Sequence, residues 1–148
     1  MNLKHTLVLL GIAISFSVRA ESQRAHIWEV SEVIDGDTFT VQESFYPPEL
    51  GHIKVRIKGV NTPEQKSKAL CAKEIQMAEK AKVFLKSQLT PGSLVTVTSV
   101  KQDFFPGRVV GYVTYVDAKG LIKDLSSTLL SSGHAVVYHP TKKHQWCK

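Results

Sequence analysis

The chain of 148 residues carries 19 Lys+Arg against 13 Asp+Glu, a formal charge of +6, with a pI near 9.4. At about 100–200 residues per domain that length holds one domain and excludes a multidomain enzyme. A 43% hydrophobic content with 22% charged residues excludes a chain that is disordered throughout.

The first elements are a targeting segment. Met1-Asn2-Leu3-Lys4-His5 is a short basic start, and Leu7 to Val18 is an apolar run broken only by Gly11, Ser15 and Ser17. Val18-Arg19-Ala20 then puts small residues at the −3 and −1 positions of a cleavage site. This is the layout of a secretory signal peptide, and the run is short for a membrane span. Residues 1–20 are therefore expected to be removed, leaving a domain of residues 21–148 in the periplasm or outside the cell with no membrane span. Cleavage removes Lys4 and Arg19 and no acid, so the charge falls from +6 to +4. The remaining chain is long enough to bury about two thirds of its unfolded surface around one core.

Trp28, Val30 and Val33-Ile34 form a first strand-like run, followed by Asp35-Gly36, a two-residue hairpin signal. Phe39 and Val41 then alternate with Thr38, Thr40 and Gln42, and Tyr46-Pro47-Pro48 with Gly51 marks a loop. Ile53, Val55 and Ile57 alternate with Lys54, Arg56 and Lys58, a period-two strand with one basic face. From Ser67 to Leu89 the period changes, and Leu70, Met77, Ala81, Phe84 and Leu85 draw one helix face. Ser67 is the expected N-cap and Thr90-Pro91-Gly92 the stop. Val95 to Thr98 and Val109 to Val116 read as strands, Leu121 to Ser132 as a shorter helix capped by Asp124 and ended by Gly133, and Ala135 to Tyr138 as an extended piece. Three strands, a helix, two strands and a C-terminal helix match the threading of a five-stranded Greek-key barrel of the OB type with two to three helices, a mainly β or α+β fold. Other α+β arrangements fit the same string.

Cys71 and Cys147 are the two cysteines. In an exported protein an even count favours one disulfide, which closes a long loop and stabilises by about 4–5 kcal/mol in the chain-entropy model. Two cysteines without a CxxC pattern make a poor zinc site.

Acids and arginines concentrate in three segments: Ile34-Asp35-Gly36-Asp37-Thr38, Val55-Arg56-Ile57-Lys58-Gly59-Val60-Asn61-Thr62-Pro63-Glu64, and Gly107-Arg108. Taken singly, each has an ordinary reading as a turn, a helix approach or a solvated strand. Together, in order and spacing, and with the Lys/Ala-rich helix and the Leu-rich helix ending at Gly133, they resemble the staphylococcal nuclease (thermonuclease) family over about residues 27–147. The pair Cys71 and Trp146-Cys147 is similar to that of its exported Gram-negative members.

The resemblance implies an OB fold and calcium-dependent cleavage of DNA and RNA phosphodiesters by a monomer. Attack on an anionic diester must overcome repulsion and stabilise a more negative, pentacoordinate transition state, which calls for a hard cation on oxygen ligands. By the family pattern Asp37 supplies a carboxylate ligand, Asn61 a side-chain oxygen and Thr62 a backbone carbonyl. Glu64 is the general base or orienting partner of the attacking water. Arg56 and Arg108 hold phosphate oxygens through forked, permanently charged guanidinium groups. Asp35 reads as turn chemistry.

The chain departs from that pattern at two places. Position 61, usually Asp in the family, is Asn61, which takes one formal charge from the calcium site and predicts weaker binding. It also admits an alternative: a nucleic-acid-binding OB module without efficient cleavage. Before Arg108, Asp103-Phe104-Phe105-Pro106-Gly107 replaces a shorter loop, so two phosphate-assisting side chains of the family have no counterpart. Phe104 and Phe105 fit either base stacking or a hydrophobic loop anchor. Tyr138 falls near a base-contacting tyrosine of the family. Lys54, Lys58, Lys66, Lys68 and Lys73 suit a backbone track for nucleic acid, though such lysines also occur on any solvated face. The histidines show no metal-ligand spacing.

Overall fold

The computed structural model describes residues 24–47 and 49–148; the expected signal peptide lies outside them. Strands β1 (His26–Val33), β2 (Thr38–Gln42) and β3 (His52–Ile57) form an antiparallel meander. A short β4 (Val60–Asn61) and a single 3-10 turn (Lys66–Lys68) lead into α1 (Ala72–Gln88). Then come β5 (Leu94–Gln102), β6 (Arg108–Val116), β7 (Ile122–Asp124), α2 (Leu125–Ser131) and β8 (Val136–Val137). The sheet runs β3-β2-β1-β5-β6-β7, and β3 also pairs in parallel with β6, from Lys54↔Arg108 to Ile57↔Gly111. That parallel pairing closes five strands into the OB-type barrel expected from the element order.

Alternation decides what fills it. Phe39 and Val41 on β2 face inward beside Val55 of β3, and Val95 and Val97 of β5 meet Tyr115 and Val113 of β6. In β1 the buried positions Val30 and Val33 are three apart instead of two. A register shift between Val30 and Glu32 supplies the extra residue, so both side chains reach the core. Leu85 and Leu89 from α1, with Leu125 and Leu129 from α2, join the same cluster.

Three local expectations need correction. The long helix begins at Ala72, not Ser67, and its N-cap is Cys71, whose Sγ accepts the Glu74 N–H at 3.4 Å. The Leu70 N–H is taken by the Glu74 carboxylate at 2.8 Å, a variant of the capping box that stops the helix from extending backward. Leu70 is consequently outside the helix and exposed, and the buried stripe is Glu74, Ala78, Ala81 and Leu85. Secondly, Ile122–Asp124 pairs with Val116–Thr114 as a strand, so the second helix starts only at Leu125. Its cap is as expected. Asp124 Oδ1 accepts the Ser127 N–H at 2.7 Å, and Gly133, at φ 73°, closes the far end. There the N–H groups of Gly133 and His134 bond the carbonyls of Leu130 and Leu129.

The third correction is the turn after β1. Asp35-Gly36 is not a two-residue hairpin turn, because Gly36 lacks the positive φ that such a turn requires. Residues 34–37 instead form a wider loop in which the Ile34 and Asp35 N–H groups share the Thr38 carbonyl, at 3.0 and 3.2 Å. Gly36 is needed for proximity: a Cβ there would lie 2.8 Å from Ala81 Cβ and 3.0 Å from Thr62 Cβ. The loop is therefore pressed between α1 and the segment after β4.

The Cys71–Cys147 disulfide forms, with Cα atoms 6.1 Å apart, and it brings buried Trp146 and the C-terminal tail against the start of α1. Among the described residues no helix is long and apolar enough to cross a membrane.

Candidate active site

The close approach at Gly36 brings Asp37 against the chain that follows β3. Asp35 makes the turn: its Oδ1 accepts the Asp37 N–H at 3.1 Å. The Asp37 side chain points inward and is 3% exposed. Its Oδ1 accepts from Thr38 Oγ1 at 3.0 Å and from Arg56 Nη1 at 2.8 Å, and its Oδ2 accepts the Thr62 N–H at 3.3 Å. Burial pushes the Asp37 carboxyl up to about 6 from 3.8, and the nearby Asp35 carboxylate adds to the rise. Arg56 and the hydrogen bonds from Thr38 and Thr62 offset only part of that rise. This carboxylate is under-compensated for its burial, which is the condition a bound cation relieves.

Arg56 reaches this group because β2 and β3 pair Thr38 with Arg56. Its second amino group donates to the Val60 carbonyl at 3.4 Å. The guanidinium expected to face phosphate is thus shared with internal acceptors in this state.

Asn61 is held by the β4–β8 pairing opposite Val136, and Thr62 follows it, buried. Among the described residues no group of three or more His, Cys, Asp or Glu converges as a ready-made metal centre. Asp37, Asn61 and Thr62, which line the same cleft, offer a carboxylate, an amide oxygen and a main-chain carbonyl as oxygen donors. That all-oxygen set fits a hard divalent cation that also draws ligands from water and substrate, not zinc or a soft metal.

Glu64 is fixed through its backbone. Its N–H donates to Glu74 Oε1 at 3.1 Å, while among the described residues nothing donates to its own carboxylate, which lines the cleft. Arg108 opens β6, and its Nε donates to Asp103 Oδ2 at 2.5 Å. Its guanidinium carbon lies 4.5 Å from the centre of the Phe105 ring. Pinned at Nε and on one face, it keeps its Nη edge for an acceptor.

These groups line one open cleft of about 1290 Å³. That is larger than a small-molecule pocket, at about 300–1,000 Å³, and suits a polymer. Side chains of Arg56, Arg108 and five lysines line it against four carboxylates, an excess of three positive charges. The lysines include Lys66 and Lys68, which the sequence had suggested, and Lys142, Lys143 and Lys148 from the tail, which it had not. Tyr138 also lines the cleft, its N–H bonded to the Gly59 carbonyl at 2.9 Å. Lys54 and Lys58 do not line it; Lys58 Nζ sits 4.4 Å over the Tyr112 ring. Lys73 donates to the Lys148 main-chain oxygen.

Two functional neighbours escaped the sequence reading. Glu74 looked like one more acid on a Lys/Glu-rich helix, and only its position three residues after Cys71 signals a capping role. Asp103, which aligns Arg108, carried the weaker signal of an acid next to an aromatic loop.

An OB barrel with a basic, carboxylate-bearing cleft beside its β1–β2 turn is the architecture of a nucleic-acid-directed domain. The chain belongs to the staphylococcal nuclease homologue family, whose model matches residues 54–147, from β3 to the disulfide. Strands β1 and β2, whose connecting loop carries Asp37, lie before the matched segment and complete the same barrel. Membership points to a nuclease or nucleic-acid-binding function. No curated protein matches the chain.

Proposed function

We propose that this protein is an exported, calcium-dependent, sugar-nonspecific nuclease that hydrolyses DNA and RNA phosphodiester bonds as a monomer. The observation that carries the reading is the convergence of Asp37, Asn61-Thr62, Glu64 and Arg108 on one basic cleft, with Glu64 anchored by its backbone and free at its carboxylate. Asp37, Asn61 and Thr62 would hold the calcium ion, which when bound supplies charge neutralisation at the phosphate.

The chain's own groups do the rest. Glu64, with an unpartnered carboxylate at the cleft surface, orients a water and takes its proton as that water attacks phosphorus; the P–O bond to the leaving sugar oxygen breaks, and that oxygen takes a proton from solvent. Arg108 donates its Nη edge to a phosphate oxygen, a bond that strengthens as negative charge grows. Arg56, which donates to Asp37 and to the Val60 carbonyl, would offer its remaining N–H groups to the same phosphate. The lysines of the cleft track the backbone on either side of the scissile bond without reading sequence. Signal-peptide cleavage after Ala20 and residence in an oxidising compartment accord with the disulfide.

The test is direct. Purified mature protein is given single-stranded DNA and RNA, first with calcium and then with chelator. Calcium-stimulated cleavage that disappears in Glu64→Gln is expected, and cleavage indifferent to both overturns the reading. A second reading rests on Asn61 and on the engagement of Arg56 with Asp37: a nucleic-acid-binding module without turnover. It predicts salt-sensitive binding unchanged by Glu64→Gln and no cleavage at any calcium concentration.

A further inference from the structure

Phe104 is 91% exposed and Phe105 50% exposed, at the tip of the β5–β6 loop on the wall of the cleft. A loop anchor would be buried, and Phe104 is among the most exposed large hydrophobic residues described. The two rings meet edge to face, with centroids 5.5 Å apart. Phe105 is occupied on one side by the Arg108 guanidinium at 4.5 Å, and Lys68 Nζ approaches it at 5.9 Å. The loop is also held in place: Asp103 accepts the Phe104 N–H at 2.6 Å through Oδ1 and Arg108 Nε at 2.5 Å through Oδ2. One carboxylate therefore sets both the phosphate-facing cation and the aromatic beside it.

We infer that Phe104, backed by Phe105, is a base-stacking platform on the wall of the cleft. The inference rests on the nuclease reading and adds a residue that holds the base beside the phosphate bound at Arg108. An exposed aromatic face next to cations matches the two halves of a nucleotide, a flat apolar base and an anionic phosphate. A phosphate on the Arg108 Nη edge leaves the adjoining base one nucleotide step away, beside Phe104. Bases of a duplex are stacked on each other and hide their faces, so only an unpaired strand can use this surface without first being opened. The preference is for base over no base, with little choice among the four, since every base has a π face.

The test measures binding in a Glu64→Gln background, which blocks turnover, using an oligothymidylate, an abasic strand of equal length and a duplex. Phe104→Ala should weaken oligothymidylate binding about fivefold to 100-fold and leave the abasic strand and the duplex unaffected. Phe104→Trp should retain affinity, with its added fluorescence quenched by oligothymidylate. Equal losses on base-bearing and abasic strands, or no loss on either, would overturn the platform. So would Phe104-dependent binding to anionic vesicles with nucleic-acid binding intact. Glu64-dependent cleavage is scored separately: if it is present while Phe104→Ala binds normally, the platform alone fails. If no strand is bound at all, both readings fail.

Discussion

The Glu74 carboxylate, wholly buried in the first turn of α1, accepts the main-chain N–H of Glu64 at 3.1 Å. Its other oxygen takes the Leu70 N–H at 2.8 Å, so one side chain spans both ends of the loop between β4 and the helix. The buried acid is thus the anchor of the half-buried one that lines the cleft.

Removing that anchor leaves two N–H groups without their acceptor. Glu74→Ala should destabilise the protein by about 2–4 kcal/mol, from about 1–3 kcal/mol for each unpaired group, less where water enters. It should also lower cleavage further than stability alone explains, because Glu64 loses its position. Urea unfolding measured beside cleavage at a temperature where the variant is fully folded separates the two effects. Full activity in a folded variant would show that Glu64 does not depend on this contact.

The disulfide acts on the same corner. Cys71 caps α1, and Cys147 brings in Trp146, which is buried, together with the lysines of the tail. Reduction should cost about 2–5 kcal/mol. It should also weaken nucleic-acid binding, because Lys142, Lys143 and Lys148 are no longer held at the cleft. Thermal melts and salt-dependent binding with and without dithiothreitol check this. A variant with both cysteines changed to serine should resemble the reduced protein and show no response to the reagent.

The second helix offers a pH prediction. Burial raises the Asp124 pKa, but hydrogen bonds from Ser126 and Ser127 outweigh it and hold the carboxyl below its ordinary 3.8. A folded-state value below the unfolded one means that the cap contributes fully above about pH 4. The contribution fades as pH falls through the lower, folded value. Asp124→Ala should therefore cost about 1 kcal/mol at pH 7, and the gap between variant and parent should close in acid. A gap that stays constant from pH 7 to pH 2 would mean that the cap acts without its charge.

How much of this was visible beforehand depends on which force held each piece. The barrel strands were legible because Phe39, Val41, Val55, Val95 and Val97 obey a two-residue period that nothing else produces. That Asp37, Glu64, Arg56 and Arg108 would meet was implied by the family resemblance, and they line one cleft. Glu74 was not legible, since its buried stripe continues through Ala78 and Ala81 and carries almost no hydrophobic signal. The helix start was misplaced for the same reason: a side-chain bond to Leu70, invisible to propensity, overrode the helical composition of residues 67–71. Ile122–Asp124 read as helix because its pairing partner, Thr114–Val116, is distant in sequence. Asp35-Gly36 misled because glycine was required there for space, not for a positive φ.

If calcium binds as proposed, Asn61 sets how strongly it is held. The residue sits on β4 opposite Val136, beside Thr62, whose N–H already bonds Asp37. A carboxylate at this position would add one negative charge to the donor set without changing its shape. Across about 4 Å at an effective dielectric near 20, a unit charge pair interacts by about 4 kcal/mol, less the larger cost of desolvating a carboxylate. Asn61→Asp should therefore tighten calcium binding by about tenfold to 100-fold, allowing for a net 1.4–2.8 kcal/mol, and raise cleavage at low calcium. Calorimetry with calcium alone and cleavage across a calcium titration give the two numbers. Tighter binding with a parallel gain in cleavage identifies a weakened but working site. Tighter binding with no cleavage at any concentration places the chain with the binding modules. Unchanged affinity would remove Asn61 from the ligand set altogether.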